Sequence, residues 1–232
     1  MISVIIPTLN EASNLPALLA ALAGDGAEGE IIIVDGGSTD GTRDIARRQG
    51  VRVIETAPGR GGQLRVGAAA ARYDVLWFLH ADCRVASGAR AAIGRELAAA
   101  PNAPGGNFRL RFDGDDDFSR WLDGFYAWIR AKGVYYGDSG VFVRRSAYEA
   151  LDGIRPLALM EDYDFNRRLE RLGPTLMIEN PPLITSSRRF AGRRKSAIVM
   201  GWLLIHGLFH LGLPAPWLAR LYDSTRRRHE AP

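Results

Sequence analysis

Val75-Leu76-Trp77-Phe78-Leu79-His80-Ala81-Asp82 runs five apolar residues straight into a histidine and a carboxylate. Such a run suits a strand buried on both faces, the kind found in parallel sheets covered by helices. In open α/β sheets, ligands bind at the carboxyl ends of the strands, beside the point where strand order reverses. Asp82 is therefore a candidate metal- or phosphate-site residue. The alternative is a turn-capping role ahead of Ser87-Gly88.

On the N-terminal side, strand and helix patterns alternate. Residues 3–6, 30–34, 51–55 and 75–79 read as strands, and 14–23, 42–48 and 63–71 as the helices between them. This spacing predicts βαβ units, right-handed crossovers and a mostly parallel sheet. On the C-terminal side the pattern changes. Residues 107–112 alternate like a half-exposed strand, 118–131 form an aromatic-rich helix, and a short strand lies near 140–143. A helix is expected over 161–172 and a strand over 175–178, while the acidic stretch 113–117 reads as an exposed loop able to act as a lid.

The chain has 232 residues, 47% hydrophobic and 24% charged, enough for one large domain or one domain with an appendage. A lone cysteine, Cys83, excludes an internal disulfide, and no Cys/His spacing of the zinc-site kind is present. The opening residues, Ile2-Ser3-Val4-Ile5-Ile6-Pro7, do not read as a signal peptide, and a cytoplasmic protein is expected. The net charge of +4 hides an asymmetry: residues 188–228 hold nine Arg/Lys against Asp223 alone, so the remainder is net acidic. A basic tail attracts phosphates, nucleic acid or an anionic membrane, or is simply solvated.

Two polar clusters follow the first two strands. In Pro7-Thr8-Leu9-Asn10-Glu11 the proline would stop the strand and Thr8 or Asn10 would cap the next helix, or the same groups would face a base or ribose. In Val34-Asp35-Gly36-Gly37-Ser38-Thr39-Asp40-Gly41-Thr42 a strand ends in a carboxylate, glycines allow a close backbone approach, and Ser38, Thr39 or Asp40 opens a helix. Neither is a Walker loop or a GxGxxG fingerprint, so neither ATP hydrolysis nor nicotinamide binding is signalled. A tight turn leaves Asp35 unexplained, which favours a nucleoside contact there.

These two clusters, taken in order with Phe78-Leu79-His80-Ala81-Asp82, resemble the serial signatures of family 2 glycosyltransferases, over about residues 2–189. Within that family, the shortness of the chain and its His-Ala-Asp motif resemble the branch associated with radical-SAM/selenodomain proteins. The resemblance implies a GT-A fold, a Rossmann-like nucleotide-diphospho-sugar transferase architecture. It divides the chain into a catalytic domain at 1–190, with a nucleotide-binding half at 1–85 and an acceptor half at 86–190, and a C-terminal amphipathic, basic helical segment at 191–232. It also implies inverting transfer from a nucleotide sugar, most often a UDP-sugar, with a divalent metal, manganese or magnesium.

By the same resemblance, the donor would contact Pro7, Thr8, Asn10, Glu11, Asp35, Gly37, Ser38, Arg60, Gln63, Arg65, His80, Ala81 and Asp82, with Asp35 on the base and Asp82 on the metal. His80 stands where other members carry the first acid of the DXD motif; it reads equally as a second metal ligand or as a hydrogen-bonded structural residue. In Gly59-Arg60-Gly61-Gly62-Gln63-Leu64-Arg65 the arginines would neutralise a diphosphate at a helix N-terminus, or belong to a surface loop. Arg188 and Arg189 correspond loosely to a basic pair that closes on the donor.

The acceptor side falls on Gly137, Asp138, Ser139, Glu161 and Asp162. At about 100° per residue, Asp162 projects to the core side of its helix, near Phe165 and Leu169. Glu161 or Asp164 suits a helix-dipole role better. In the family the second acid of this pair is the catalytic base, which corresponds to Asp162.

Finally, residues 197–213 are free of Asp, Glu, Lys and Arg but short for a membrane span and interrupted by glycines. Flanked by Arg193-Arg194-Lys195 and Arg226-Arg227-Arg228, they suit an interfacial helix on an anionic membrane, giving peripheral attachment through 193–228, or a helix packed on protein or in a homodimer. On the membrane reading the acceptor is lipid-linked. The expected partners are a nucleotide-sugar donor and an acceptor hydroxyl or phosphate, with no nucleic acid. Two competing functions are a catalytically silent nucleotide-binding protein that recruits partners to a membrane and a sugar nucleotidyltransferase, whose Arg-containing glycine loop should follow the first strand.

Overall fold

Both faces of the sheet are covered, which is why its central strands read as unbroken apolar runs. The computed structural model describes residues 1–26, 28–187, 190 and 194–230, with side chains described as far as 222. Strands β1 (Ile2–Thr8), β2 (Gly29–Asp35), β3 (Arg52–Glu55) and β4 (Val75–Phe78) alternate with helices α1 (Leu15–Gly24), α2 (Thr42–Arg48) and α3 (Arg60–Ala70). There follow α4 (Ala89–Ala99), β5 (Gly105–Phe112), α5 (Asp117–Arg130), β6 (Phe142–Arg144), α6 (Arg145–Ala150), α7 (Glu161–Leu172) and β7 (Leu176–Thr185). Two helices, α8 (Lys195–His210) and α9 (Ala215–Glu230), complete the described chain.

The seven strands lie in the order β3-β2-β1-β4-β6-β5-β7. Pairing is parallel from β3 to β4 and between β5 and β7; β6 alone runs against its neighbours. The order reverses between β1 and β4, so the crevice at their carboxyl ends is the topological switch point. Val4, Ile6 and Trp77 pack under α1 and α4, while Ile5, Leu76 and Phe78 pack on the opposite face with α3 and α7. Helix α3 lies so close to the sheet that a Cβ on Gly67 would stand 2.4 Å from Ile5 Cγ2.

Pro7 does not end β1, which runs on to Thr8. Ile5 O accepts from Leu79, on the β4 side, and Thr8 O accepts from Gly36, on the β2 side. The missing proline N–H therefore faces a place where the pairing with β4 has already stopped, at Ile5 and Phe78. The strand expected at 175–178 is likewise longer, reaching Thr185 through Pro181 and Pro182. It lies at the sheet edge, and both prolines fall between Ile178 and Leu183, where its pairing with β5 shifts register between Phe108 and Leu110 and asks for no N–H from them.

The apolar run expected as one segment at 197–213 falls in α8 and the turn after it, at Gly212 with φ +84°, ahead of α9. Ile198 and Trp202 pack against α5 and Phe190, and Ile205 and Phe209 against Met160 and Tyr163.

Candidate active site

The switch-point loops are stitched together before any ligand is considered. Thr8 Oγ1 donates to Asp35 Oδ1 at 3.0 Å, Ser38 Oγ donates to the same oxygen at 2.5 Å, and the N–H groups of Gly37 and Ser38 donate to Oδ2 at 3.0 and 2.8 Å. Burial pushes the Asp35 carboxyl up, but these donors outweigh it and hold the pKa below the ordinary aspartate value. The side chain is fully buried and accepts from Thr8 of β1 as well as from its own loop, with Arg43 Nε 3.9 Å from Oδ2. The carboxylate thereby ties the end of β1 to the loop after β2.

Neither Thr8 nor Asn10 caps α1, contrary to the expectation above. Asn14 occupies the cap position, while the Asn10 N–H donates to Ser38 Oγ at 2.8 Å and Asn10 Oδ1 accepts from the Thr39 N–H at 2.8 Å. The Glu11 N–H is tied to Thr42 Oγ1 at 2.8 Å, and Asp40 accepts from the Thr42 N–H as α2 opens. Gln63 is buried, and its Nε2 donates to the carbonyls of Thr8 and Val34 at 2.9 and 2.7 Å. Thus Pro7, Thr8, Gly37, Ser38 and Gln63 define the shape of the β1 and β2 loops.

The third loop does not act as one unit. Arg65 leaves α3 towards the Asp152 carbonyl at 2.8 Å and the Asp152 carboxylate at 3.1 Å. Five residues along the helix from Arg60, its side chain points elsewhere, and the structure does not bring it to the crevice. Arg60 instead reaches across to α7, bonding Glu161 and, at 3.4 Å, Asp162.

Asp162 is positioned by the turn just before it and by the chain-distant Arg60, His80 and Gly137. Met160, at φ +67°, turns the chain in a left-handed conformation immediately before α7, so that Glu161 and Asp162 enter the helix facing Arg60. The 3₁₀ turn Gly137–Ser139 is held beside the end of β4 because Phe78 N–H donates to Val141 O at 2.8 Å and Trp77 Nε1 to Gly140 O at 3.1 Å. From that turn, the Gly137 N–H donates to Asp162 Oδ2 at 2.9 Å. A Cβ on Gly137 would stand 3.1 Å from His80 Nε2 and 3.2 Å from Asp162 Oδ2, so histidine and aspartate flank the same point.

Burial again works to raise the Asp162 carboxyl, but Arg60, the N–H groups of Gly137 and Tyr163, and His80 outweigh it and lower its pKa. For Glu161, burial prevails over the pairing with Arg60 and the pKa is raised. Glu161, 2% exposed, is the deeper of the two acids and stands in the first turn of α7.

Asp162 opens onto a cavity of about 240 Å³ lined by Arg60, His80 and Asp138 on one side and by Tyr126, Tyr136, Trp202 and Ile205 on the other. Tyr136 OH bonds His206 Nε2 at 3.0 Å, and His206 Nδ1 lies 2.8 Å from the Trp202 carbonyl. A ring nitrogen beside a carbonyl carries the proton, which leaves Nε2 to accept from Tyr136. Burial lowers the His206 pKa, consistent with that neutral ring. Sequence reasoning missed Trp202 and His206 as wall residues; a histidine inside an otherwise apolar helix was the signal.

Asp82 faces a different and larger cavity, about 730 Å³, shared with Ser13, Asn14, Ala81, Arg84, Asp113 and Ser187. Its walls include the Asp113 carboxylate, which accepts from the Ser187 N–H and hydroxyl at 2.8 and 3.0 Å and lies 3.7 Å from Arg84. The acidic loop is thus anchored to the Ser186–Ser187 segment at Asp113, and Asp116 caps α5. His80 lines the Asp162 cavity and Asp82 the larger one. Among the described residues no group of three or more His, Cys, Asp or Glu is placed to hold a metal ion. A single carboxylate fits magnesium or manganese when substrate phosphates supply further oxygens, and Asp82 meets that requirement. Arg188 and Arg189 lie outside the described residues.

The model of Glycosyl transferase family 2 matches residues 3–151. An uncharacterized glycosyltransferase of Mycobacterium tuberculosis (strain H37Rv) is 38% identical over 82 residues, 35% of this chain and 36% of that one. The chain spans about a third of the length of such curated relatives. Among solved structures, mannosyltransferase PcManGT from Pyrobaculum calidifontis in complex with GDP-Man and Mn2+ superposes with a TM-score of 0.63 at 19% identity, covering 96% of this chain and 73% of that one. Glucosyl-3-phosphoglycerate synthase from M. tuberculosis, in complex with Mn2+, UDP-glucose and phosphoglyceric acid, gives 0.62 at 20% identity, covering 92% and 80%. The likeness to these structures is one of fold, the GT-A arrangement.

Proposed function

Since the chain belongs to glycosyl transferase family 2, we propose that it moves a sugar from a nucleoside-diphosphate sugar to an acceptor hydroxyl or phosphate by a single in-line displacement that inverts the anomeric centre. The observation that carries this reading is Asp162, a carboxylate kept ionised at a cavity mouth by a backbone N–H, an arginine and a neighbouring histidine. Asp162 accepts the proton of an acceptor hydroxyl as its oxygen attacks the anomeric carbon and the bond to the diphosphate breaks. Gly137 and Arg60 fix the direction of the carboxylate, so the acceptor oxygen is oriented before reaction. The aromatic wall of Tyr126, Tyr136 and Trp202 excludes water from the attacking oxygen.

On the donor side, the loops built on Asn10, Glu11, Ser38 and Thr39 border the nucleoside. A UDP-sugar is the proposed donor; the two solved neighbours, one bound to GDP-Man and one to UDP-glucose, make the base a point to test. Asp82 would hold a divalent ion, manganese or magnesium, whose chemistry is to neutralise charge on the departing diphosphate.

The test has two arms. Titration calorimetry of UDP and GDP, with and without manganese, into wild type and Asp82→Ala should give binding of one nucleotide that strengthens with metal and weakens in the variant. Release of that nucleotide from its sugar conjugates, with hydroxyl and phosphate acceptors supplied, should fall about 10²–10⁴-fold in Asp162→Asn while nucleotide affinity is unchanged. A loss of this kind excludes a catalytically silent protein. Absence of any nucleotide binding, or equal turnover in Asp162→Asn, overturns the proposal.

A further inference from the structure

Helix α8 carries two apolar stripes, and only one is used by the fold. Ile198, Trp202, Ile205 and Phe209 face inward onto α5, α7 and their neighbours. Met200, Leu203, Leu204 and Leu211 recur at the i, i+3, i+4 and i+11 positions and fall within an arc of about 100° on the opposite side. These four are 63%, 61%, 50% and 78% exposed, and Leu213 and Trp217 extend the stripe across the turn at 38% and 67%. From Ser196 to Ala219 the sequence contains no Asp, Glu, Lys or Arg, yet Arg193-Arg194-Lys195 precede it and Arg220 follows. An outward apolar stripe bracketed by cations, with a tryptophan at its edge, is the pattern of a helix lying in a membrane interface.

We infer that the outward face of the α8–α9 hairpin docks on the surface of an anionic lipid bilayer. Among the described residues no helix is long and apolar enough to cross a membrane, and α8 spans only about 24 Å against a hydrocarbon core of about 30 Å. The hairpin therefore lies on the surface. Charge decides between a bilayer and a second copy of the chain. A two-fold contact between stripes would bring together two segments that each hold nine Arg/Lys against one Asp over 188–228, whereas anionic headgroups neutralise them. The inner side of the same hairpin walls the Asp162 cavity through Trp202, Ile205, His206 and Tyr222. A docked chain thus holds that cavity about one helix diameter, roughly 10 Å, from the lipid.

The test is co-sedimentation of the full chain with phosphatidylcholine vesicles, with and without phosphatidylglycerol. Binding is expected to the phosphatidylglycerol vesicles, falling as salt rises. Leu203→Asp/Leu211→Asp places charge on exposed positions and should weaken partitioning by about a hundredfold or more. Arg194→Ala/Arg220→Ala leaves the stripe intact and should weaken it roughly thirtyfold. Either loss, in a variant whose thermal melt matches wild type, supports docking. Failure of wild type to sediment with phosphatidylglycerol vesicles overturns it, as does sedimentation unaffected by both variants. A lipid-free dimer abolished by Leu203→Asp/Leu211→Asp also overturns it, by assigning the stripe to a second copy. None of these readouts involves nucleotide or sugar, so failure here leaves the transferase proposal standing.

Discussion

Replacing Asp35 with alanine removes one buried carboxylate and strands the donors aimed at it: the hydroxyls of Thr8 and Ser38 and the N–H groups of Gly37 and Ser38. A hydrogen bond to a charged group contributes about 1.5–3 kcal/mol, and an orphaned buried donor costs about 1–3 kcal/mol. The sum is not additive, because the hydroxyls can turn and Gly37 is exposed enough for its N–H to reach water. The expected loss is about 3–5 kcal/mol, a large part of the roughly 5–15 kcal/mol that holds a domain folded. At about 2–4 °C per kcal/mol for a chain of this size, the melting temperature should fall by roughly 6–20 °C. Urea denaturation of wild type and Asp35→Ala at neutral pH measures the difference directly.

The pH dependence has a definite sign. The folded pKa of Asp35 is depressed below the ordinary aspartate value, so its contribution is fully present above that value and is lost as pH falls through the folded pKa. The stability gap between wild type and Asp35→Ala should be constant from neutral pH down to the ordinary aspartate range and close only below it. An unchanged urea midpoint combined with lost nucleotide binding would refute the reasoning, because the carboxylate would then act on the ligand and not on the loop.

Gly137→Ala would place a methyl 3.1 Å from His80 Nε2 and 3.2 Å from Asp162 Oδ2, displacing the carboxylate by a few tenths of an ångström. With misplacement by about 1 Å costing on the order of 100-fold, kcat should fall several-fold with nucleotide affinity intact, as steady-state rates and calorimetry would show. Arg60→Ala removes the cation that lowers the Asp162 pKa, so that pKa rises and the acid limb of the kcat/KM profile should move to higher pH. Since Arg60 is 37% exposed on its side chain, screening limits the accompanying loss of stability to about 1–2 kcal/mol, checked by urea denaturation; a pH profile that does not move would separate Arg60 from Asp162.

The sheet was legible in sequence where burial on both faces removes every competing pattern, as in β1, β2 and β4, and where a glycine- or proline-free helix opens on acids, as α7 does. It was not legible where a local rule depends on neighbours. Pro7 reads as a strand end because a missing N–H is local, whereas the strand that would have used it is not, and the strand expected at 175–178 gave no sign that it runs on to Thr185. The site divides in the same way. Asp162 was marked by its helical position, and the structure places it at a cavity. His80 and Asp82 are two residues apart, and sequence alone could not show that they open onto separate cavities. Arg60 and Arg65 share one helix and one charge, but their partners, Glu161 and Asp152, belong to segments about 90–100 residues away.

That division bears on how one chain combines a shared chemistry with a choice of acceptor. The segment matched by the family model stops at residue 151, and it contains the β1, β2 and β4 loops together with His80, Asp82, Gly137 and Asp138. Met160 and Asp162 come from beyond it, and Trp202, Ile205, His206 and Tyr222 come from two helices further still. On the proposed reading the donor is therefore held by loops locked into the sheet, through contacts such as Asp35 to Ser38 and Gln63 to Thr8 that leave little freedom to vary. The acceptor meets helix faces whose side chains can change without disturbing a strand. Because α8 presents Trp202 and Ile205 to that cavity and Leu203 and Leu204 to the outside, a one-residue rotation of the helix would alter both surfaces at once. The fit of the acceptor wall and the docking of the hairpin are thus bound to the same helical register.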